Sequence, residues 1–190
     1  RAIRRALDVA ERVLKQHPRP DHRHRLEHNA LITKDQIARA KNLGFTLSFF
    51  VDHIYYYGHR LPEIVGAERT KRYMPLNDAA QAGHHVTFHT DNPATPIGPF
   101  RAYETAVSRK SRRTEAPIGV DQALDRETAL RAMTINGAWQ LGLEDELGSI
   151  EVGKRADLTF LASNPLTVEG NQLQLMQVNG TWLDGQPADT

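Results

Sequence analysis

A chain of 190 residues with Lys+Arg 24 against Asp+Glu 23 carries a formal charge of +1, a balance that argues against the concentrated basic face of a nucleic-acid-binding domain. It holds no cysteine, so disulfides and thiolate metal sites are excluded, and any metal must be held by His nitrogen and carboxylate oxygen. No apolar run approaches the roughly 18 residues of a membrane span, and no signal-peptide pattern opens the chain. Neither nucleic acid nor a membrane is therefore expected as a partner, and the cytoplasm is the favoured compartment.

The chain opens on a helical pattern. Ile3, Leu7, Val9, Ala10, Val13 and Leu14 recur near helical spacing, and Pro18 with Pro20 ends the run. Arg23 to His28 reads as a short strand. Thr33 then caps a helix that runs through Lys41 and closes on Gly44. Phe45 to Val51 reads as a buried strand. Helical turns follow over Ala67–Tyr73 and Leu76–Ala82, the second stopped by Gly83, and His85 to His89 reads as a third strand. Connections of this length and helical content predict parallel strands covered by helices, an α/β fold.

Two more helices are predicted beyond Pro96, over Pro99–Ser108 and Asp125–Leu141, with Asp125 as the cap of the second. The basic cluster Arg109, Lys110, Arg112 and Arg113 reads as the solvated end of the first. The period then changes. Asp157–Ala162 and Leu173–Val178 are strand-like, and Asn179-Gly180 stands where a two-residue hairpin turn would be placed.

Barrel enzymes carry their active sites at the carboxyl ends of the strands, and His28 and Asp91 each close a short apolar strand. Taken singly, a strand-end His reads as structural, and Asp before Asn-Pro as a turn starter. The segment from Gly148 to Leu158, GSIEVGKRADL, adds a third signal. It resembles the C-terminal signature of the amidohydrolase superfamily. With Arg25-Leu26-Glu27-His28 and Phe88-His89-Thr90-Asp91-Asn92-Pro93, it makes the chain from Arg1 to Asp184 resemble the last half of a metal-dependent hydrolase, nearest the subgroup containing N-substituted formamide deformylases.

That resemblance implies strands six, seven and eight of a TIM-type (β/α)8 barrel over 1–146, and part of a small composite β-sandwich over 147–190. It also implies site roles. His28 becomes a metal ligand, and Asp91 a group that contacts the metal and activates its water. The implied ion is divalent, one or two per complete enzyme, with Zn²⁺ the expected species. Such an ion lowers the pKa of water toward about 7, and a nearby carboxylate can relay the proton to a departing amine. The implied substrate is a small amide-like molecule cleaved at a C–N bond.

The remaining histidines divide. His53 follows the second strand, and reads either as a substrate-facing group that steadies a developing oxyanion or as a loop His beside Tyr55, Tyr56 and Tyr57. His89, where the family commonly has Gly, reads as a hydrogen-bonding support below the site. His84 and His85 flank the strand entrance and read as structural. A whole (β/α)8 barrel needs about 250 residues, and further family ligands from earlier strands have no counterpart here. The chain therefore reads as a piece of something longer, inactive alone and completed by its missing first half. The alternative is a non-catalytic half-barrel module that self-associates into a homo-oligomer through open strand edges.

Overall fold

The computed structural model describes residues 1–114 and 116–188, so the last two positions of the expected 147–190 segment lie outside the described residues. Helix α1 (Ala2–Gln16) lies against α2 (Lys34–Asn42), burying Leu7 between them while Arg39 reaches back to Asp8 and Glu11 at 2.6 Å each. Helix α2 begins on a full capping box: the Thr33 hydroxyl accepts from the Gln36 amide, and the Gln36 side chain accepts from the Thr33 amide.

Three strands form one parallel sheet in sequential order: β1 (Arg25–Leu26), β2 (Thr46–Phe49) and β3 (Thr87–Phe88). Arg25 pairs with Thr46, and Phe49 with Phe88. The paired lengths are shorter than the predicted strands, and β1 and β3 each have a neighbour on one side only among the described residues. Strand β2, flanked on both sides, is buried along its whole length, with Leu47 and Phe49 in the core and the small polar Thr46 and Ser48 buried beside them. Helices α3 (Asp52–Tyr57), α4 (Leu61–Val65), α5 (Ala67–Thr70) and α6 (Leu76–Gln81) make the crossover from β2 to β3. Helix α7 (Pro99–Ser108) follows β3, and Ile37, Leu47, Phe49, Ile54, Leu76 and Ala106 join one core. At roughly 25 cal/mol per Å² of apolar surface removed from water, that core is the main favourable contribution to folding.

Four expectations need correction. The helix over Asp125–Leu141 is two helices, α8 (Arg126–Met133) and α9 (Ile135–Leu141), broken at Thr134 with φ −121° and ψ −99°. The break lets Asn136 donate to the Val86 carbonyl at 3.0 Å and Gln140 to those of His85 and Leu47 at 2.8 and 3.1 Å, seating α9 against the sheet. Secondly, Leu173–Val178 is not a strand. Residues 170–175 form a 3₁₀ turn whose Leu173 is fully buried in the core shared with α7. Thirdly, Asn179-Gly180 lies inside a strand. Antiparallel β4 (Leu158–Leu161), β5 (Val178–Leu183) and β6 (Gln186–Pro187) form the tail sheet, Gly180 pairs with Phe160 beside a register shift, and the hairpin turn is Asp184-Gly185, both at positive φ.

The fourth concerns Arg109. It is the left-handed end of α7, and its side chain is fully buried. The guanidinium donates to the carbonyls of Ile118 (2.9 Å), Met74 (3.0 Å) and Tyr73. Apolar surroundings could not satisfy those three carbonyls, and a flat five-donor fork can. Burial pushes its pKa down to about 9, so it stays charged at neutral pH.

The GSIEVGKRADL segment folds as the joint between the two sheets. Gly148, at φ +89°, is pressed so close to α9 that an added Cβ would meet the Ile135 Cα and Ala138 Cβ at 2.8 Å. Farther on, Asp157 accepts the Asp184 amide at 2.7 Å and the Ala156 carbonyl accepts that of Gly185 at 3.1 Å, so the segment also holds the β5–β6 turn. Among the described residues no helix is long and apolar enough to cross a membrane.

Candidate metal and substrate site at the carboxyl ends of the strands

The chain turns sharply as it leaves β1. His28 and Asn29 stand in the left-handed region at φ 66° and 55°, where non-glycine residues are uncommon and Asn is among the best tolerated. Asn29, buried, ties this turn down by donating to the Leu26 carbonyl at 2.6 Å and the Ser48 carbonyl of β2 at 3.0 Å. The imidazole of His28 thereby meets Phe50 edge-on at 5.8 Å and His89 at 5.3 Å.

Asp91 takes the same kind of turn after β3, at φ 54°, with its carbonyl accepting the Ala94 amide at 2.7 Å. His28 and Asp91 line one cavity of about 450 Å³. Its walls also include Arg25, Glu27, Ser48 and His89 from the sheet side, and Met133, Gly137 and Gln140 from α8 and α9. The two expected site groups thus come together from separate strands.

His89 lacks the supporting hydrogen bond expected of it. Its ring stacks on Phe50 at 5.4 Å, and its Nε2 is buried with no hydrogen-bond partner, the Glu27 carboxylate lying 3.6 Å away. A supporting hydrogen bond from Nε2 is therefore absent, and the side chain lines the same cavity as His28 and Asp91. Burial pushes its pKa down, partly opposed by Glu27.

His53 is on α3, behind Phe50 at 4.2 Å, and is not part of the cavity lining. It nevertheless lies within electrostatic range of His28, Asp91 and His89, and burial is the main cause of its lowered pKa. Its Nδ1 is 3.1 Å from the Tyr73 hydroxyl. Tyr55 and Tyr56 pack on each other at 5.0 Å, with Arg101 and Arg112 over Tyr56 at 5.5 and 4.8 Å, and neither lines the cavity. At the far end of the sheet, His84 bonds the Ile37 carbonyl at 2.9 Å and His85 stacks on Trp139 at 4.1 Å.

Several site residues escaped sequence reasoning. Asp52, Arg101 and Thr95 connect the turns that carry His53 and Asp91: the buried Asp52 carboxylate takes Arg101 at 2.6 Å and the Thr95 hydroxyl at 2.8 Å. Asn29 had a readable signal, since Asn directly after a strand-end His favours a left-handed turn. Gln140 and Tyr73 had none, being distant in sequence from what they touch.

Three parallel strands with helical crossovers, and polar groups gathered where the strands end, define an α/β fold with a candidate site at the carboxyl ends of its sheet. The family model described as "Amidohydrolase family" matches residues 1–189, and the chain belongs to that family. It is 32% identical to an N-substituted formamide deformylase of Arthrobacter pascens over 97% of this chain and 34% of that protein. An uncharacterized metal-dependent hydrolase from Pyrococcus horikoshii OT3 superposes with a TM-score of 0.71 at 32% identity, over 89% of this chain and 34% of that one. An adenosine deaminase from Xanthomonas campestris with bound zinc, at 23% identity and TM-score 0.61 over 94% of this chain and 42% of that one, shares the fold. The chain spans about a third of the length of the curated relatives it matches.

Proposed function

We propose that this chain forms strands six to eight of an amidohydrolase barrel with part of its β-sandwich, and that the complete enzyme hydrolyses a C–N bond in a small amide-like substrate. The observation that carries the reading is that His28 and Asp91, about sixty residues apart, line one cavity at the carboxyl ends of β1 and β3.

The residues fit a divalent cation, with Zn²⁺ favoured by the nitrogen and oxygen donors on offer. His28 and Asp91 would hold it, and His89, whose Nε2 makes no hydrogen bond, adds a further nitrogen to the same cavity lining. When bound, the ion would lower the pKa of water and polarise the substrate carbonyl. Asp91 takes a proton from the attacking water and returns it to the departing amine. His53, outside the cavity lining of this chain but within electrostatic range of His28 and Asp91, would offer its imidazole to the carbonyl oxygen of a substrate that reaches past Phe50. Among the described residues no group of three or more His, Cys, Asp or Glu side chains is placed to hold a metal. Catalytic zinc normally takes three protein ligands, so the rest are expected from other strands of the barrel, and this chain alone is expected to be inactive.

The test is Asp91→Asn in the enzyme that carries the complete barrel. Loss of proton transfer should lower kcat by about 10²-fold or more, and His28→Ala should lower bound metal measured by elemental analysis. Undiminished turnover in Asp91→Asn would overturn the proposal.

A further inference from the structure

We propose, resting on the reading of His53 as a substrate-facing group, that Tyr73 is a positioning residue: it holds His53 in the Nε2–H tautomer, so that the imidazole offers a donor to an acceptor oxygen and serves neither as metal ligand nor as base. The geometry leaves one consistent proton arrangement. The Tyr73 hydroxyl lies 3.1 Å from His53 Nδ1 and has no other hydrogen-bond partner among the described residues, in a side chain only 7% exposed. If Nδ1 carried the proton, the phenol would accept it and its own hydrogen would be left without an acceptor among the described residues, an unfavourable state for a buried donor. If the phenol donates, both groups are satisfied and the imidazole proton sits on Nε2. Nε2 itself has no partner among the described residues, so its donor capacity is available.

Two further features keep the pair in place. Arg109 clamps the carbonyls of Tyr73 and Met74 from within the core, fixing the backbone that carries the phenol. Phe50 at 4.2 Å and Tyr57 at 5.7 Å pack on the His53 ring. Burial favours the neutral form of both partners, raising the phenol and lowering the imidazole. The consequence is a restriction on chemistry. A lone pair on Nε2 is required for metal ligation or proton abstraction, and the Tyr73 bond removes it. What His53 can take is an oxygen bearing or gaining negative charge, such as the carbonyl of an amide under attack.

Long-range ¹H–¹⁵N correlation of the imidazoles in this chain, under mildly alkaline conditions with His53→Gln to assign the signal, reads the tautomer directly. Nε2 should be the protonated nitrogen in the native chain, and Tyr73→Phe should shift His53 toward a mixture. A native signal with the proton on Nδ1, or an unchanged tautomer in Tyr73→Phe, overturns the proposal. Should Tyr73→Phe fail to fold, the native spectrum alone decides. In the complete enzyme the same variant should lower kcat with little change in KM, by less than the roughly 10²–10³-fold that outright loss of an oxyanion donor costs, and unchanged kcat beside a shifted tautomer overturns the functional half. The spectrum is independent of turnover, so its failure is distinguishable from that of the hydrolase reading, which the Asp91→Asn variant tests.

Discussion

Asp52, at the first position of α3, and Arg101, on α7, form an ion pair at 2.6 Å whose carboxylate is wholly buried and whose guanidinium is 15% exposed. The pair ties the segment after β2 to the segment after β3. Thr95 joins it by donating to Asp52 at 2.8 Å while lying against the Thr90 carbonyl, and Arg101 also reaches the Pro96 carbonyl at 2.5 Å. His53 follows Asp52 directly, and Asp91 follows Thr90. The relative placement of those two candidate site groups is thus set by a network that neither of them belongs to.

Replacing Asp52 with Asn keeps the shape and strips the charge, leaving Arg101 largely buried without its counter-ion. Removing one partner of a buried pair costs about 3 kcal/mol or more. Urea unfolding of Asp52→Asn should show that loss. A midpoint equal to that of the unmodified chain would show that the pair adds little.

Arg109→Met replaces a buried fork of donors with a shorter unbranched side chain that has no hydrogen-bond donor. Three carbonyls, of Tyr73, Met74 and Ile118, would lose their partner. At about 1 kcal/mol or more for each unsatisfied group, the variant should be destabilised by roughly 3 kcal/mol. Arg109→Lys should recover only part of this, since an ammonium cannot span three carbonyls in a planar fork. Denaturant midpoints of the two variants, compared in one series, check the order.

Stability should fall as the solution is acidified below the ordinary histidine pKa of about 6.5. His53, His84, His85 and His89 all have pKa values lowered chiefly by burial. The unfolded chain therefore takes up protons that the folded chain refuses. The contribution is fully present above the unfolded pKa and is lost as pH drops toward the lower folded values. His84, buried and bonded to the Ile37 carbonyl, is far from the candidate metal site and is the cleanest probe. Thermal melts from neutral to mildly acidic pH should show a falling Tm, with a shallower slope in His84→Gln. A slope unchanged by that variant would assign the acid sensitivity to other groups.

Strands β1 and β3 are each paired along one edge only among the described residues, and an uncovered parallel edge is a template for further pairing. Light scattering behind size exclusion should therefore find this chain by itself associated beyond a monomer and without turnover. Supplying the remaining strands as a separate polypeptide should restore a discrete complex. A well-behaved monomer would count against self-association through those edges.

Much of the architecture was legible because it is local. Thr33 and Asp125 start their helices where capping chemistry places them, and the largely apolar segment around β2 announced a buried strand. The family resemblance carried by GSIEVGKRADL is matched by the family model. The tail was misread because Asn179-Gly180 is a strong turn signal that the pairing of Gly180 with Phe160 overrides, while Leu173 prefers a 3₁₀ turn that buries it on α7.

The sequence by itself determined where strands and helices alternate and which residues, His28 and Asp91, stand at strand ends, because side-chain period and turn chemistry act over a few neighbours. Only the tertiary structure decided that these two share a cavity, that His89 faces it unpartnered, that Arg109 is a core clamp and not a solvated helix end, and that Tyr73 meets His53. Those relations depend on parallel strand register and helix packing between segments tens of residues apart, where no local pattern carries the information.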